Sequence, residues 1–204
     1  MDCYYKYRDA FLRACKNGDF KIMKTISEKC HGYVRFYCPK TGENGIHKCA
    51  RNLDSVSSLT IAEYILSRWK YAAFAKHKTN STYHYTPLIL ATHLQSEHLV
   101  RKLSKNIYPL NSTTSKEICM SEIEIYPPGS TALHIAILSE NIQIITLLLS
   151  AGALFCKADQ NGETVLELAQ KAKNARRIMP LFGLPINNYA FTLVDTGQFT
   201  AKKR

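Results

Sequence analysis

The stretch from Gly129 to Ala153, GSTALHIAILSENIQIITLLLSAGA, holds two short apolar helices, and their shortness constrains what the rest of the chain must be. Leu133, Ala136 and Ile137 fall on one face of the first. In the second, Ile142, Ile145, Leu148 and Leu149 recur at three- and four-residue spacing, so each helix has a face that must be buried. Neither is long enough to be stable alone. A pair of this size hides its apolar face only by stacking on a similar pair, which predicts related pairs on either side. Gly152 supplies the left-handed residue that ends the second helix.

The segment Thr131-Ala132-Leu133-His134-Ile135-Ala136, followed by Leu147-Leu148-Leu149 and Gly152-Ala153, resembles an ankyrin repeat, with its T-P-L-H-x-A and later L-L-x-x-G-A pattern. Ala132 stands in place of the usual proline. The resemblance implies a helix–turn–helix unit followed by a β-hairpin finger, about 33 residues in all, and a binding scaffold. It also implies that the imidazole in the histidine slot, here His134 and His47, bonds the neighbouring finger's backbone.

The frame recurs. Asp159-Gln160-Asn161-Gly162-Glu163-Thr164-Val165-Leu166-Glu167-Leu168-Ala169 repeats it downstream. Upstream, Tyr85-Thr86-Pro87-Leu88-Ile89-Leu90-Ala91 carries isoleucine in the histidine slot, and Gly45-Ile46-His47-Lys48-Cys49-Ala50 carries Cys49 in the small-residue slot. Phe11 to Phe20 resembles an opening repeat without the T-P-L-H half. The aligned small residues Ala14, Cys49, Ala91, Ala136 and Ala169 are 35, 42, 45 and 33 positions apart. The long gaps place insertions around Asn52 to Ser58, Arg68 to Thr82 and Ser104 to Pro128.

These observations predict an all-α ankyrin-repeat solenoid of about five helix–turn–helix repeats, with β-hairpin fingers and insertions. The repeats fall near 5–38, 39–80, 81–125, 126–158 and 159–183, making a domain over 1–183. Residues 184–204 form a C-terminal cap and basic tail, with strand-like alternation from Tyr189 to Val194. The first pair is expected at Asp9 to Cys15 and Phe20 to Ile26. Alternation in Tyr33-Val34-Arg35-Phe36-Tyr37 suggests short strands or an extended finger, and Leu59 to Lys78 reads as one overlong amphipathic helix on which Trp69 packs.

The chain has 204 residues, 46% of them hydrophobic, enough for an elongated core. No run of 18 apolar residues exists and the first six residues lack a signal-peptide core, so a cytoplasmic protein without a transmembrane segment is expected. Seven irregularly spaced cysteines fit reduced thiols better than a disulfide framework. Lysines and arginines exceed acids by 8 over residues 1–80 and by 4 over 161–204, while 81–160 carries a net −1. Such a field reads first as general electrostatic steering or solubility and next as attraction of an acidic protein partner. No nucleic-acid motif accompanies it, so nucleic acid is disfavoured.

Cys30-His31, Cys38 and His47-Cys49 include zinc-ligand types, but no C-x2-C pair is present, Cys49 is needed as a small core residue and His47 fills the histidine slot. No metal and no cofactor is expected. No nucleophile elbow, H-E-x-x-H or phosphate-binding loop occurs, so no catalytic residue is assigned. Glu122 and Glu124, beside Lys116 and Glu117, read as solvated charges, and Cys119 as a free thiol.

The function expected is a monomeric protein–protein interaction module. In the frame implied by the resemblance, the concave face carries Lys40, Thr41 and Glu43, then Arg51 and Asn52, Tyr83 and Tyr85, His93 with Leu94, Leu138 and Ser139, and finally Gln160, Asn161 and Glu163. Tyr83, Tyr85 and Arg51 are the preferred anchors, with Lys40 assisting, because tyrosine and arginine most often carry interface energy; the alternative for Tyr83 and Tyr85 is packing on the overlong helix before them. Composition and size resemble ankyrin proteins of intracellular bacteria and large DNA viruses. That implies an effector, a virulence factor acting on host proteins in the host cytoplasm or nucleus. Two other classes stay open: an enzyme or metal-dependent protein with its site in the insertions, and a basic binder of nucleic acid or membrane surfaces.

Overall fold

The computed structural model describes residues 2–52, 56–69, 72, 85–105, 110–115, 118–119, 125–183, 189–193 and 199–203. Ten α-helices are defined there: α1 Asp2–Asn17, α2 Phe20–Lys29, α3 Gly45–Ala50, α4 Val56–Arg68, α5 Pro87–His93, α6 Glu97–Ser104, α7 Ala132–Leu138, α8 Ile142–Ser150, α9 Val165–Lys171 and α10 Ala175–Ile178. Two 3-10 turns, His31–Arg35 and Met179–Phe182, follow α2 and α10. Most of the described residues are helical.

The odd-numbered helices touch in succession, α1 to α3, α3 to α5, α5 to α7 and α7 to α9, and the even-numbered ones do the same from α2 through α10. Each odd helix also packs on the even helix that follows it. Two layers result, with one continuous apolar core between them from Phe11 to Met179. Ala14, Cys49, Ala91, Ala136 and Ala169, the residues aligned by the sequence frame, are all buried in the odd-numbered row.

Local chemistry starts these short helices. Thr131 and Thr164 close capping boxes with His134 and Glu167, and Asn44 does so with His47. Thr86 caps α5 through the Ile89 amide, with Pro87 in the first turn where its missing N–H costs nothing. At the end of α8, Gly152 lies at φ +88. The Ala153 amide reaches the Leu148 carbonyl at 3.0 Å and the Gly152 amide the Leu149 carbonyl at 3.0 Å, which is the Schellman closure.

Several expected boundaries move. α1 is longer than Asp9–Cys15, and α2 runs on to Lys29. α4 ends at Arg68, ten residues short of the expected end, although Trp69 does pack on the core. His31–Arg35 is a 3-10 turn instead of strand. Its reason is visible in the packing: Tyr33 and Phe36, three apart as a 3-10 turn requires, both face Phe11, with ring centroids at 5.4 and 5.5 Å. Cys15, Cys38, Cys49 and Cys156 are free thiols as expected, whereas Cys30 departs from the expectation in being disulfide-bonded.

Among the described residues, strands lie in two small hairpins. Ile118–Cys119 (β1) pairs antiparallel with Ile125–Tyr126 (β2). In the tail, Tyr189–Leu193 (β3) pairs antiparallel with Phe199–Lys203 (β4), so Lys202 and Lys203 lie in a strand and not in a frayed end. Among the described residues no helix is long and apolar enough to cross a membrane.

Candidate functional site

Three finger bases are drawn together by isolated antiparallel bridges just ahead of odd-numbered helices: Tyr37 with Asn44 before α3, Thr113 with Thr131 before α7, and Ala158 with Thr164 before α9. Turn chemistry shapes each. In the last finger the Asp159 carboxylate accepts the Asn161 and Glu163 amides at 2.8 and 3.0 Å, an Asx-type brace. Adjacent fingers are tied as well, since the Gln160 amide donates to the Pro128 carbonyl at 2.8 Å. Gly129, at φ +85, lets the chains approach: a Cβ there would lie 3.1 Å from the Asp159 and Gln160 backbone.

The slot histidines complete the bracing. His134 accepts the Thr131 amide at Nδ1 (3.1 Å) while its Nε2 faces the Glu163 carbonyl at 3.3 Å. His47 accepts the Asn44 amide at Nδ1 (3.3 Å) and its Nε2 faces the Tyr85 carbonyl at 3.2 Å. At His134 this assigns the proton to Nε2, which donates to the next finger; at His47 the Nδ1 also lies 2.8 Å from Asn44 Oδ1, so both ring nitrogens face acceptors. Burial lowers the His47 pKa to about 4 and lowers that of His134, so both rings are neutral at pH 7.

Beneath the first finger lies a buried carboxylate. Glu43 is 2% exposed. Its Oε1 accepts Arg51 Nε at 2.8 Å and the Tyr85 hydroxyl at 3.0 Å. Its Oε2 accepts Lys48 Nζ at 2.5 Å and the Thr41 hydroxyl at 3.3 Å. Burial pushes its pKa up, but the hydrogen bonds and charges of Arg51 and Lys48 outweigh that and hold it at about 2. Arg51 also donates to the Tyr85 oxygen at 3.1 Å, and the Asn44 side chain donates to the Ala72 carbonyl at 2.8 Å.

The expected face therefore divides. Lys40, Arg51, Leu138, Gln160 and Asn161 are exposed; Thr41, Asn52, Leu94 and Ser139 are partly so. Tyr85 is 2% exposed, so with Glu43 it lies under the face and braces it, because its hydroxyl is committed to the carboxylate. His93 is engaged by Tyr126 through Nδ1 at 3.0 Å, and Glu163 pairs with Lys171. Tyr83 lies outside the described residues, as do Lys116, Glu117, Glu122 and Glu124. Arg51, 38% exposed at its side chain, and Leu138, 49% exposed, stand out as the charged and apolar groups of this face.

Sequence reasoning did not find Lys48. A signal was available, since Lys48 and Arg51 are three apart and lie on one side of α3, above a glutamate that precedes its cap. The suspected zinc residues do other work: Cys30 is disulfide-bonded, His47 braces a finger, and Cys49 meets Cys15 in the core, where burial and then Cys49 raise the Cys15 pKa. Among the described residues no three histidine, cysteine or acidic side chains gather as a metal site.

The ankyrin-repeat family model matches residues 128–160. That ankyrin match spans the Gly129 turn, α7, α8 and the finger up to Gln160, the part with the capping box, the slot histidine and the Schellman ending. An ankyrin repeat suggests a protein–protein interaction module. Comparison of the whole sequence with curated proteins gives no match.

Proposed function

We propose that this chain is a protein-binding module, a solenoid of about five ankyrin-type repeats over 1–183 with residues 184–204 as its cap, and that its partner lies across the finger face. The observation that carries this reading is the row of odd-numbered helices whose fingers are locked to one another by His47, His134 and the Gln160–Pro128 bond. A pre-braced face loses little conformational freedom on binding. On it, Arg51 and Leu138 supply the charged and apolar contacts, with Lys40, Gln160 and Asn161 around them. Action on host proteins, as an effector, is the setting implied by the resemblance in composition.

The test is capture of a partner by the purified protein, followed by affinity measurement with Arg51→Ala combined with Leu138→Asp. Binding should fall at least about tenfold, or 1.4 kcal/mol, in a variant whose circular dichroism matches the parent; its melt drops, because Arg51 also pairs with the buried Glu43. If affinity survives the double change and is instead lost on removing residues 106–126, the insertion is the binding site and the finger face is not.

A further inference from the structure

A second surface lies away from the fingers, at the start of the array. Tyr7 and Ala10 of α1 and Lys21, Ile22, Thr25, Ile26 and Lys29 of α2 line a trough of about 360 Å³. Its floor is apolar, because Ile26 is buried and Tyr7 and Ala10 pack against the core. Ile22 projects at its edge, 52% exposed. Ile22 thereby extends the apolar lining to the rim of the trough.

Both charged residues that line it are lysines. Lys21 and Lys29 lie on one stripe of α2, eight residues or about 12 Å apart along the axis. Lys6 sits over the Tyr7 ring, its Nζ 5.4 Å from the centroid. No acidic residue lines the trough. Of the acids nearby in sequence, Asp9 pairs with Arg8 at 2.8 Å, Glu28 lies 4.0 Å from Lys24, and Asp19 is exposed just ahead of α2.

We infer that the α1–α2 trough docks an acidic amphipathic helix of a partner protein. A trough between two helices accepts the apolar stripe of a third at i, i+3, i+4 and i+7, and ammonium groups two turns apart match carboxylates flanking that stripe. The occupant is helical and not a lipid surface, because a flat bilayer does not reach a floor recessed between Tyr7 and Ile26. Nucleic acid fits poorly, because its phosphates gain nothing from an apolar floor. The surface is separate from the finger face, so the two bind independently.

The probe is a fluorescent synthetic helix with leucines at i, i+3, i+4 and i+7 and glutamates flanking them, alongside a twin with lysine at each glutamate. Anisotropy should show the glutamate helix binding at least about tenfold more tightly than its twin, with Ile22→Asp lowering that affinity about tenfold. Lys21→Glu with Lys29→Glu should reverse the preference. Arg51→Ala with Leu138→Asp should leave it intact, which separates this surface from the finger face. The inference is overturned if neither helix binds, if the twins bind equally, or if Ile22→Asp has no effect while its melt matches the parent. Sedimentation with phosphatidylserine vesicles that Ile22→Asp abolishes, without helix binding, would assign the trough to membranes and overturn it too.

Discussion

The hydroxyl of Tyr85 donates to the buried carboxylate of Glu43 at 3.0 Å, joining two residues 42 positions apart in the chain. Through Arg51 and Lys48 the same carboxylate fastens α3 to the finger ahead of it, and through Tyr85 to the entry of α5.

Removing one partner at a time should separate these roles. Tyr85→Phe deletes a hydrogen bond to a charged group and should cost about 1.5–3 kcal/mol. Glu43→Ala leaves two cations around a vacated acceptor and should cost about 3 kcal/mol, the lower end for a broken buried pair because Arg51 keeps access to water. Urea denaturation measures both. A Glu43→Ala cost below that of Tyr85→Phe would show that the carboxylate is not the centre of the network.

Acid should weaken the fold in two stages. His47 is protonated near pH 6.5 when unfolded and only near 4 when folded. Its contribution is complete above pH 6.5, is lost as pH falls through that interval, and amounts to about 3 kcal/mol. The His134 shift has the same direction and adds to it. Glu43, lowered from 4.5 to about 2, contributes fully above pH 4.5, and that stability is lost as pH falls towards 2. Denaturant titrations between pH 7 and 4 should show the first stage, flattened in His47→Gln. An unchanged slope in that variant would refute the assignment.

Two glycines at positive φ should respond differently to alanine. At Gly152 a Cβ meets nothing within 4 Å, so Gly152→Ala carries only the left-handed backbone cost, about 1–2 kcal/mol. At Gly129 the same conformational cost is joined by contact with the Asp159 backbone at 3.1 Å, so the loss should be larger. Equal melting shifts would mean that the fingers separate freely.

Ala136 is fully buried where α7 meets its neighbours. Ala136→Leu should overpack this contact and cost about 1–3 kcal/mol. A neutral outcome in thermal melts would indicate a looser row of helices than the packing shows.

Much of this was legible because the repeat signal is local. The threonine, histidine and small-residue positions around Ala136 and Ala169 act within one turn of their helices, so the sequence frame locates caps and buried faces directly. The end of α4 was hidden because apolar residues continue through Trp69 and Phe74 with no glycine or proline to mark a stop. The aromatic turn at Tyr33 was misread because its burial repeats every three residues, not two. For Tyr85 the sequence leaves two readings, partner contact or packing, and burial at 2% decides for packing; its bond to Glu43, distant in sequence, leaves no sign in the pattern.

Ile89 occupies the slot that holds an imidazole in α3 and α7. His47 thus rivets the second helix pair to the third and His134 the fourth to the fifth, while the junction between third and fourth has no rivet from this position. The third and fourth pairs are joined instead by the packing of α5 on α7 and of α6 on α8, with the Asn141 side-chain amide donating to Gln95 at 3.4 Å, so apolar contact holds that junction where an imidazole holds its two neighbours.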